Sequence, residues 1–319
     1  MEVFRDINDP RLVPTGCVAT LGNFDAIHIG HQALIQNAVE DARRLSRPSV
    51  VLTFEPHPLR VLAPERAPKL ILTHDDKMQL LDSLGVDIVV VQHFDAQLAK
   101  VKAEEFVRRH LVDRLQMRKI WIGKDLRFGH NRRGAASDLI RWGSQLGFEV
   151  AMIEPILDQG VQASSSRVRQ LVEEGRVPDA KPILGRYHFI SGKVVSSHRR
   201  GRKSGLLTVS IFPRTEALPS AGVYFTLFTL GSGQWLSASA VSSNPILAGG
   251  SSLVESFIFD FHRELYSAPV KLSFVQRLHE INRSASIKRL VAELQKNVKL
   301  DNTILPAVES LAKPLMVEH

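Results

Sequence analysis

The hydrophobic pattern of the chain changes period once, near Tyr187, and that change limits the folds open to it. Before it, short β-branched runs at 18–21, 49–54, 87–92, 119–122 and 148–153 alternate with helical spacing, as in Leu34, Ile35, Ala38, Val39, Ala42 and Leu45. Strand and helix in alternation predict βαβ units and a parallel sheet. Thr73-His74-Asp75-Asp76 reads as a capping box that opens a helix, and Gly85 ends it. After Tyr187 the period falls to two: alternating segments at 189–196, 206–211, 223–229, 235–241, 254–261 and 270–276 predict a small antiparallel barrel, and a helical pattern at 287–294 follows. The expected fold class is α/β + β, with a parallel-sheet domain over 1–185, a β-barrel with a C-terminal helix over 186–302, and a tail over 303–319.

Composition agrees with two domains, since 319 residues are about twice the usual ~150 of one domain. Forty-one Lys and Arg against 33 Asp and Glu give a net charge of +8, which suits anionic partners such as nucleotides. Cys17 is the single cysteine, so neither a disulfide framework nor a cysteine-rich zinc site is available. No apolar run approaches the roughly 18 residues of a membrane span, and the opening residues lack a signal-peptide pattern. A cytoplasmic protein is expected, with small-molecule partners and neither nucleic acid nor membrane among them. Nothing in the sequence specifies an oligomeric state.

In an open parallel sheet, ligands collect at the carboxyl ends of the strands, where loops face helix N-termini. The first such loop is Gly22-Asn23-Phe24-Asp25-Ala26-Ile27-His28-Ile29-Gly30-His31, leading into a helical pattern. A strand, a tight turn and a helix start present free backbone N–H groups and a positive dipole end to an anion. His28 and His31 can flank one phosphate, and Gly30 between them leaves the backbone open. The loop is neither a P-loop nor a dinucleotide fingerprint, because it has no Gly-Lys-Ser/Thr and the glycine spacing differs.

Three further segments end strands of the same half: Thr53-Phe54-Glu55-Pro56-His57-Pro58, Gly123-Lys124-Asp125-Leu126-Arg127-Phe128-Gly129 with Arg132-Arg133-Gly134, and Ala163-Ser164-Ser165-Ser166-Arg167. The first loop resembles the HIGH signature of nucleotidyltransferases. With the other three in order, the chain resembles the prokaryotic FAD synthetase family, usually bifunctional riboflavin kinase/FMN adenylyltransferases. The resemblance implies a Rossmann-like N-terminal domain that transfers AMP from ATP to FMN, giving FAD and pyrophosphate. It implies that His28, His31 and Arg167 are catalytic and that Gly22, Asn23, Phe24, Asp25, Gly30, Ser164 and Ser165 bind ATP. It further assigns Phe54, His57, Asp125 and Phe128 to the flavin, and Mg2+ to the ATP phosphates rather than to protein ligands. Ala26, Leu126 and Ser166 stand where the family commonly has glycine, phenylalanine and threonine. Class I aminoacyl-tRNA synthetases share the HIGH signature, but no Lys-Met-Ser-Lys-Ser-like loop is present.

The same resemblance implies a riboflavin-kinase barrel with departures at its nucleotide and metal site. Where the family has Gly-Phe-Pro-Thr-Ala-Asn, this chain has Gly205-Leu206-Leu207-Thr208-Val209-Ser210, after the basic loop Arg199-Arg200-Gly201-Arg202-Lys203. Ser243-Asn244-Pro245-Ile246-Leu247 occupies the place of a Gly-Thr-Arg-Pro-Thr segment, and Leu278-His279-Glu280-Ile281 that of an Arg-Asp-Glu run. Thr208 and Glu255, the position of the family's general base, remain. A serine hydroxyl cannot reproduce the reach of an asparagine carbonyl, so the sequence predicts an adenylyltransferase carrying a kinase-like remnant. The first alternative is a fully bifunctional enzyme acting on riboflavin as well as FMN. The second is a non-enzymatic flavin or nucleotide-binding protein.

Overall fold

The computed structural model describes residues 1–12, 16–199, 207–242, 253–259, 261 and 265–279. The basic loop beyond Arg199, the segment 243–247, Glu280 with Ile281, the helical pattern at 287–294 and the tail at 303–319 lie outside the described residues. Two compact units are present: Met1–Lys69 with His74–Ser165, and Leu70–Thr73 with the chain from Ser166 on.

The first unit contains β1 (Glu2–Phe4), β2 (Cys17–Leu21), β3 (Ser49–Glu55), β4 (Ile88–His93) and β5 (Met117–Gly123). There follow a ribbon of β6 (Arg127–Phe128) and β7 (Gly134–Ala135), then β8 (Glu149–Ile153), and a hairpin of β9 (Leu157–Asp158) and β10 (Val161–Gln162). The main sheet has the order β1-β4-β3-β2-β5-β8, and its ladders are parallel. The expected strands are thus present, and the three-residue β1 adds an edge too short to show periodicity. From β2 the chain winds one way through β3 and β4, then returns to place β5 on the other side of β2. That reversal opens a crevice at the carboxyl end of β2, where parallel sheets bind ligands.

Helices α1 (Ile29–Arg44), α2 (Pro58–Leu62), α3 (His74–Ser83), α4 (Ala103–Phe106) and α5 (Ala136–Leu146) connect these strands. Helix α1 buries Leu34, Ile35, Ala38, Val39 and Ala42, the positions its sequence period selects. Helix α3 begins within the expected capping box and stops before Gly85, which takes a φ of +78°. Cys17 is buried, its thiol pushed up to about 12 by burial, and so is no nucleophile at neutral pH.

In the second unit, α6 (Ser165–Glu173, all but its first residue) and α7 (Val177–Leu184) precede a closed barrel. Its strands are β11 (His188–Arg199), β12 (Leu207–Pro213), β13 (Gly222–Leu230), β14 (Gly233–Val241), β15 (Val254–Ile258) and β16 (Pro269–His279). The order β11-β12-β15-β14-β13-β16 closes through antiparallel pairing of β16 with β11, which leaves no free edge. Ile190, Val194, Val209, Ile211, Tyr224, Phe228, Val254, Ile258, Leu272 and Phe274 fill its core. Amid them Thr226, Ser237, Ser239 and Ser256 are fully buried and bond to one another. Thr226 Oγ1 lies 2.7 Å from both Ser237 Oγ and Ser239 Oγ, and Ser239 donates to Ser256 at 2.9 Å.

His188 is also enclosed: its Nε2 donates to the Ala217 carbonyl at 3.1 Å, and its ring stacks on Phe274. Burial first, then the nearby Arg186, hold it down to about 3, while the Ala217 bond opposes them. Neutral in the fold, His188 protonates near pH 6.5 once released, so acid favours the unfolded chain between those two values. Its contribution is about 1.4 kcal/mol per pH unit. Urea unfolding should therefore show about 2 kcal/mol less stability at pH 5 than at pH 6.5 from this group alone. His188→Gln should remove that part of the slope, and identical slopes in both proteins would exclude it.

Candidate active site

The first loop of the sequence analysis lies at the carboxyl end of β2. His28 is the N-cap of α1, and its Nδ1 accepts from the His31 backbone N–H at 3.4 Å. One turn on, the His31 ring stacks on His28 with centroids 3.7 Å apart and planes 23° from parallel. A Cβ on Gly30 would stand 3.1 Å from His28 Cε1 and 3.2 Å from Nδ1, so the glycine admits the ring.

The turn itself is tightly held. Phe24 (φ 48°) and Ile27 (φ 43°) occupy the left-handed region and are each 1% exposed. Non-glycine residues there cost roughly 1–3 kcal/mol each and persist only where packing fixes them. Phe24 folds its ring back over Gly22, and a Cβ on Gly22 would meet that ring at 3.0 Å. Ala26, at the family's glycine position, is buried and does not take a positive φ, so its methyl introduces no backbone strain. The Asn23 carbonyl accepts from Thr53 Oγ1 at 3.2 Å and from Lys77 Nζ at 3.0 Å.

Electrostatics matches this geometry. His31 Nδ1 is enclosed and has no hydrogen-bond partner among the described residues. Burial, then the adjacent His28 and Lys77, hold His31 well below its ordinary value. Burial likewise lowers Lys77, which the carboxylates of Asp25 and Glu55 partly offset. Glu55 Oε2 lies 2.7 Å from His74 Nδ1, and His57 Nε2 faces the Asn23 side-chain amide at 3.3 Å. The structure thus gathers Asn23, Asp25, His28, His31 and His57 about one helix start, with three imidazoles and the Lys77 ammonium. Such a site can hold phosphate oxygens and stabilise charge developing on them.

The remaining expected residues fall as follows. Phe54 sits edge-to-face with Phe94 at 5.7 Å, and Phe106 and Phe128 extend the same aromatic row to Trp142. Phe128 is only 9% exposed and belongs to the core. Leu126, where the family has phenylalanine, packs against the same cluster. Asp125 is exposed, with Oδ2 accepting from Gln162 at 3.4 Å. Ser164 precedes α6 and Ser165 opens it; Arg167 lies in the first turn with Nη1 donating to Gln170 Oε1 at 3.0 Å.

On the barrel, Ser210 faces Ser196 across one ladder and Glu255 across the other, with Thr208 two residues along the same face. Ser196 donates to Ser210 at 2.9 Å, while Thr208 Oγ1 is buried without a partner among the described residues. A hydroxyl left unsatisfied in this way suits a hard cation such as magnesium bound to ATP phosphates.

Sequence reasoning missed Lys77 and Ser196, and it quoted Thr53 in a motif without giving it a role. Lys77 reads as an ordinary helix-surface lysine, and only the placement of α3 turns it onto the turn.

The fold and site define a class: a HIGH-type nucleotidyltransferase sheet joined in one chain to a riboflavin-kinase barrel. The FAD synthetase family model matches residues 11–167 and the riboflavin kinase family model residues 184–305. The chain is 31% identical over 299 residues to the bifunctional riboflavin kinase/FMN adenylyltransferase of Escherichia coli strain K12, covering 93% of this chain and 96% of that one. It is 32% identical over 300 residues to the protein of the same name from Pseudomonas fluorescens, with the same coverage. A crystal structure of a Streptococcus pneumoniae protein titled macrolide-efflux protein superposes with a TM-score of 0.78 at 27% identity, over 93% of this chain and 96% of that one. The chain therefore belongs to the FAD synthetase family of bifunctional riboflavin kinase/FMN adenylyltransferases, and it is a transferase. No helix among the described residues is long and apolar enough to cross a membrane.

Gly30→Ala tests the local geometry. Alanine favours helix by about 1 kcal/mol over glycine, and displacing the His28 cap costs about as much, so the melting temperature should change little. Adenylyl transfer should nonetheless fall by roughly tenfold or more as the His28 ring is displaced. Unchanged turnover would show that the ring position is immaterial.

Proposed function

We propose that this chain makes FAD from riboflavin in two ATP-dependent steps: phosphorylation of riboflavin to FMN, then adenylyl transfer to FMN. The observation that carries the reading is that both family matches fall on folded units of one chain, with the stacked His28/His31 pair at a helix start in the first. A silent barrel, the main expectation from sequence, has less support than its bifunctional alternative. The riboflavin kinase match spans 184–305, and relatives aligned over 93% of the chain carry both activities in their names. The departure at Ser210 leaves Thr208 and Glu255 on one face of the barrel.

For the second step, a phosphate oxygen of FMN attacks the α-phosphorus of ATP; a new P–O bond forms, the α–β bridging bond breaks, and pyrophosphate leaves. No strong base is needed, because the nucleophile is already anionic. His28, His31 and the N–H groups opening α1 hold the α-phosphate region, and Ser164, Ser165 and Arg167 hold the departing phosphates. Phe54 and His57 border the flavin, Asp125 offers it a polar contact, and Phe128 braces that loop from within. For the first step, Glu255 accepts the proton of the riboflavin hydroxyl as its oxygen attacks the γ-phosphorus and ADP leaves. Magnesium, which Thr208 would help hold, neutralises phosphate charge when bound.

Two variants separate the steps. His31→Ala should lower FAD formation from FMN by roughly 10²–10³-fold while riboflavin phosphorylation continues. Glu255→Ala should do the reverse, with the riboflavin step down by ~10²-fold or more and FMN adenylylation intact. Products resolved by chromatography decide it, and both variants losing the same step would refute the division.

A further inference from the structure

We propose that Lys77 is a positioning residue for adenylyl transfer: its ammonium, anchored on the Asn23 carbonyl, fixes the β2–α1 turn that presents His28 and His31. This rests on the adenylyltransferase reading above and adds to it a residue that neither the sequence motifs nor the family resemblance singled out.

Three observations converge on Lys77. Its Nζ donates to the Asn23 carbonyl at 3.0 Å from α3, an element 54 residues away in sequence. The carbonyl it grips lies immediately before Phe24, the first of the two buried left-handed residues of the turn. Thr53 donates to the same oxygen, yet at 3.2 Å and without charge, so Lys77 supplies the charge-assisted bond of the pair. A turn held in a sparsely populated backbone conformation relaxes when its restraints are removed. Relaxation here moves the N-cap His28, and with it the ring stacked on His31.

The ammonium also belongs to the electrostatic surroundings of His31. The charged and titratable groups there are His28 and Asp25 from the turn, Lys77 and His74 from α3, and Glu55 and His57 beside β3. Burial lowers Lys77, and the Asp25 and Glu55 carboxylates oppose that lowering. Burial lowers His31 most, then His28; the cation at Lys77 adds to that lowering by disfavouring a second charge beside it.

The test compares full-length wild-type protein with Lys77→Met and Lys77→Arg. Methionine keeps much of the stem and removes the donor and charge; arginine keeps both. With FMN and ATP, Lys77→Met should lower kcat by ~10²-fold, the cost expected of a misplaced catalytic group, with the KM for FMN changed by less than about threefold. Lys77→Arg should recover most of the loss. Proton–carbon NMR of the imidazole resonances supplies a readout that needs no turnover. The His31 midpoint should move to higher pH in Lys77→Met and stay near the wild-type position in Lys77→Arg. Wild-type turnover in Lys77→Met overturns the assignment, whatever the His31 midpoint does. Wild-type protein that makes no FAD would instead refute the adenylyltransferase reading, and the titration alone would still decide whether Lys77 controls His31. Should Lys77→Met prove insoluble, Lys77→Gln takes its place in both measurements, and equal behaviour of Gln and Arg variants overturns the proposal.

Discussion

One backbone carbonyl, that of Asn23, bears much of the first unit's organisation. It accepts a hydroxyl from β3 and an ammonium from α3, so two elements distant in sequence converge on the turn that leaves β2. With Phe24 folded over Gly22 and Ile27 enclosed, that turn has few alternatives open to it. The start of α1 follows from it, and the start of α1 sets both imidazoles. Because β2 lies where the strand order reverses, the same turn faces the crevice that β3 and β5 border. Position in the sheet and chemistry of the loop therefore point to one spot.

The barrel solves a different problem. Closure satisfies the strand edges, and a core of aliphatic and aromatic side chains surrounds four mutually bonded hydroxyls. Buried hydroxyls that satisfy one another tie the register of β13, β14 and β15 to specific partners, since a slip by one residue would turn a strand's hydroxyls to its other face, away from those partners. On the opposite face, alternation along β12 brings Thr208 and Ser210 out together, beside Glu255. Interior and exterior of the same strands thus carry different chemistry: bonded hydroxyls amid apolar side chains inside, and Thr208, Ser210 and Glu255 outside.

Much of this was legible in the sequence because periodicity and turn chemistry are local. The five long strands of the sheet and the six of the barrel announced themselves through runs of two kinds. The first loop did so through a glycine, two histidines and a helix start. What stayed hidden was non-local or too short to be periodic: the three-residue β1, the two-residue strands of the ribbon and hairpin, and Lys77. Phe128 shows the limit from the other side, for an aromatic in a loop motif gives no sign in sequence whether its ring faces a ligand or the core. Ser210 shows another, since a lost asparagine suggested a spent kinase site, whereas the family match and the relatives span the barrel as a whole.

Riboflavin, rather than FMN, is the substrate that bears on the account most directly, because FAD can arise from it only if both halves work. Purified full-length protein should be given riboflavin, ATP and magnesium with no added FMN, and the flavins followed over time by chromatography. The account predicts that FMN accumulates first and FAD follows. Riboflavin left unchanged, in protein that converts added FMN to FAD, would contradict it and return the barrel to the role of a silent fold.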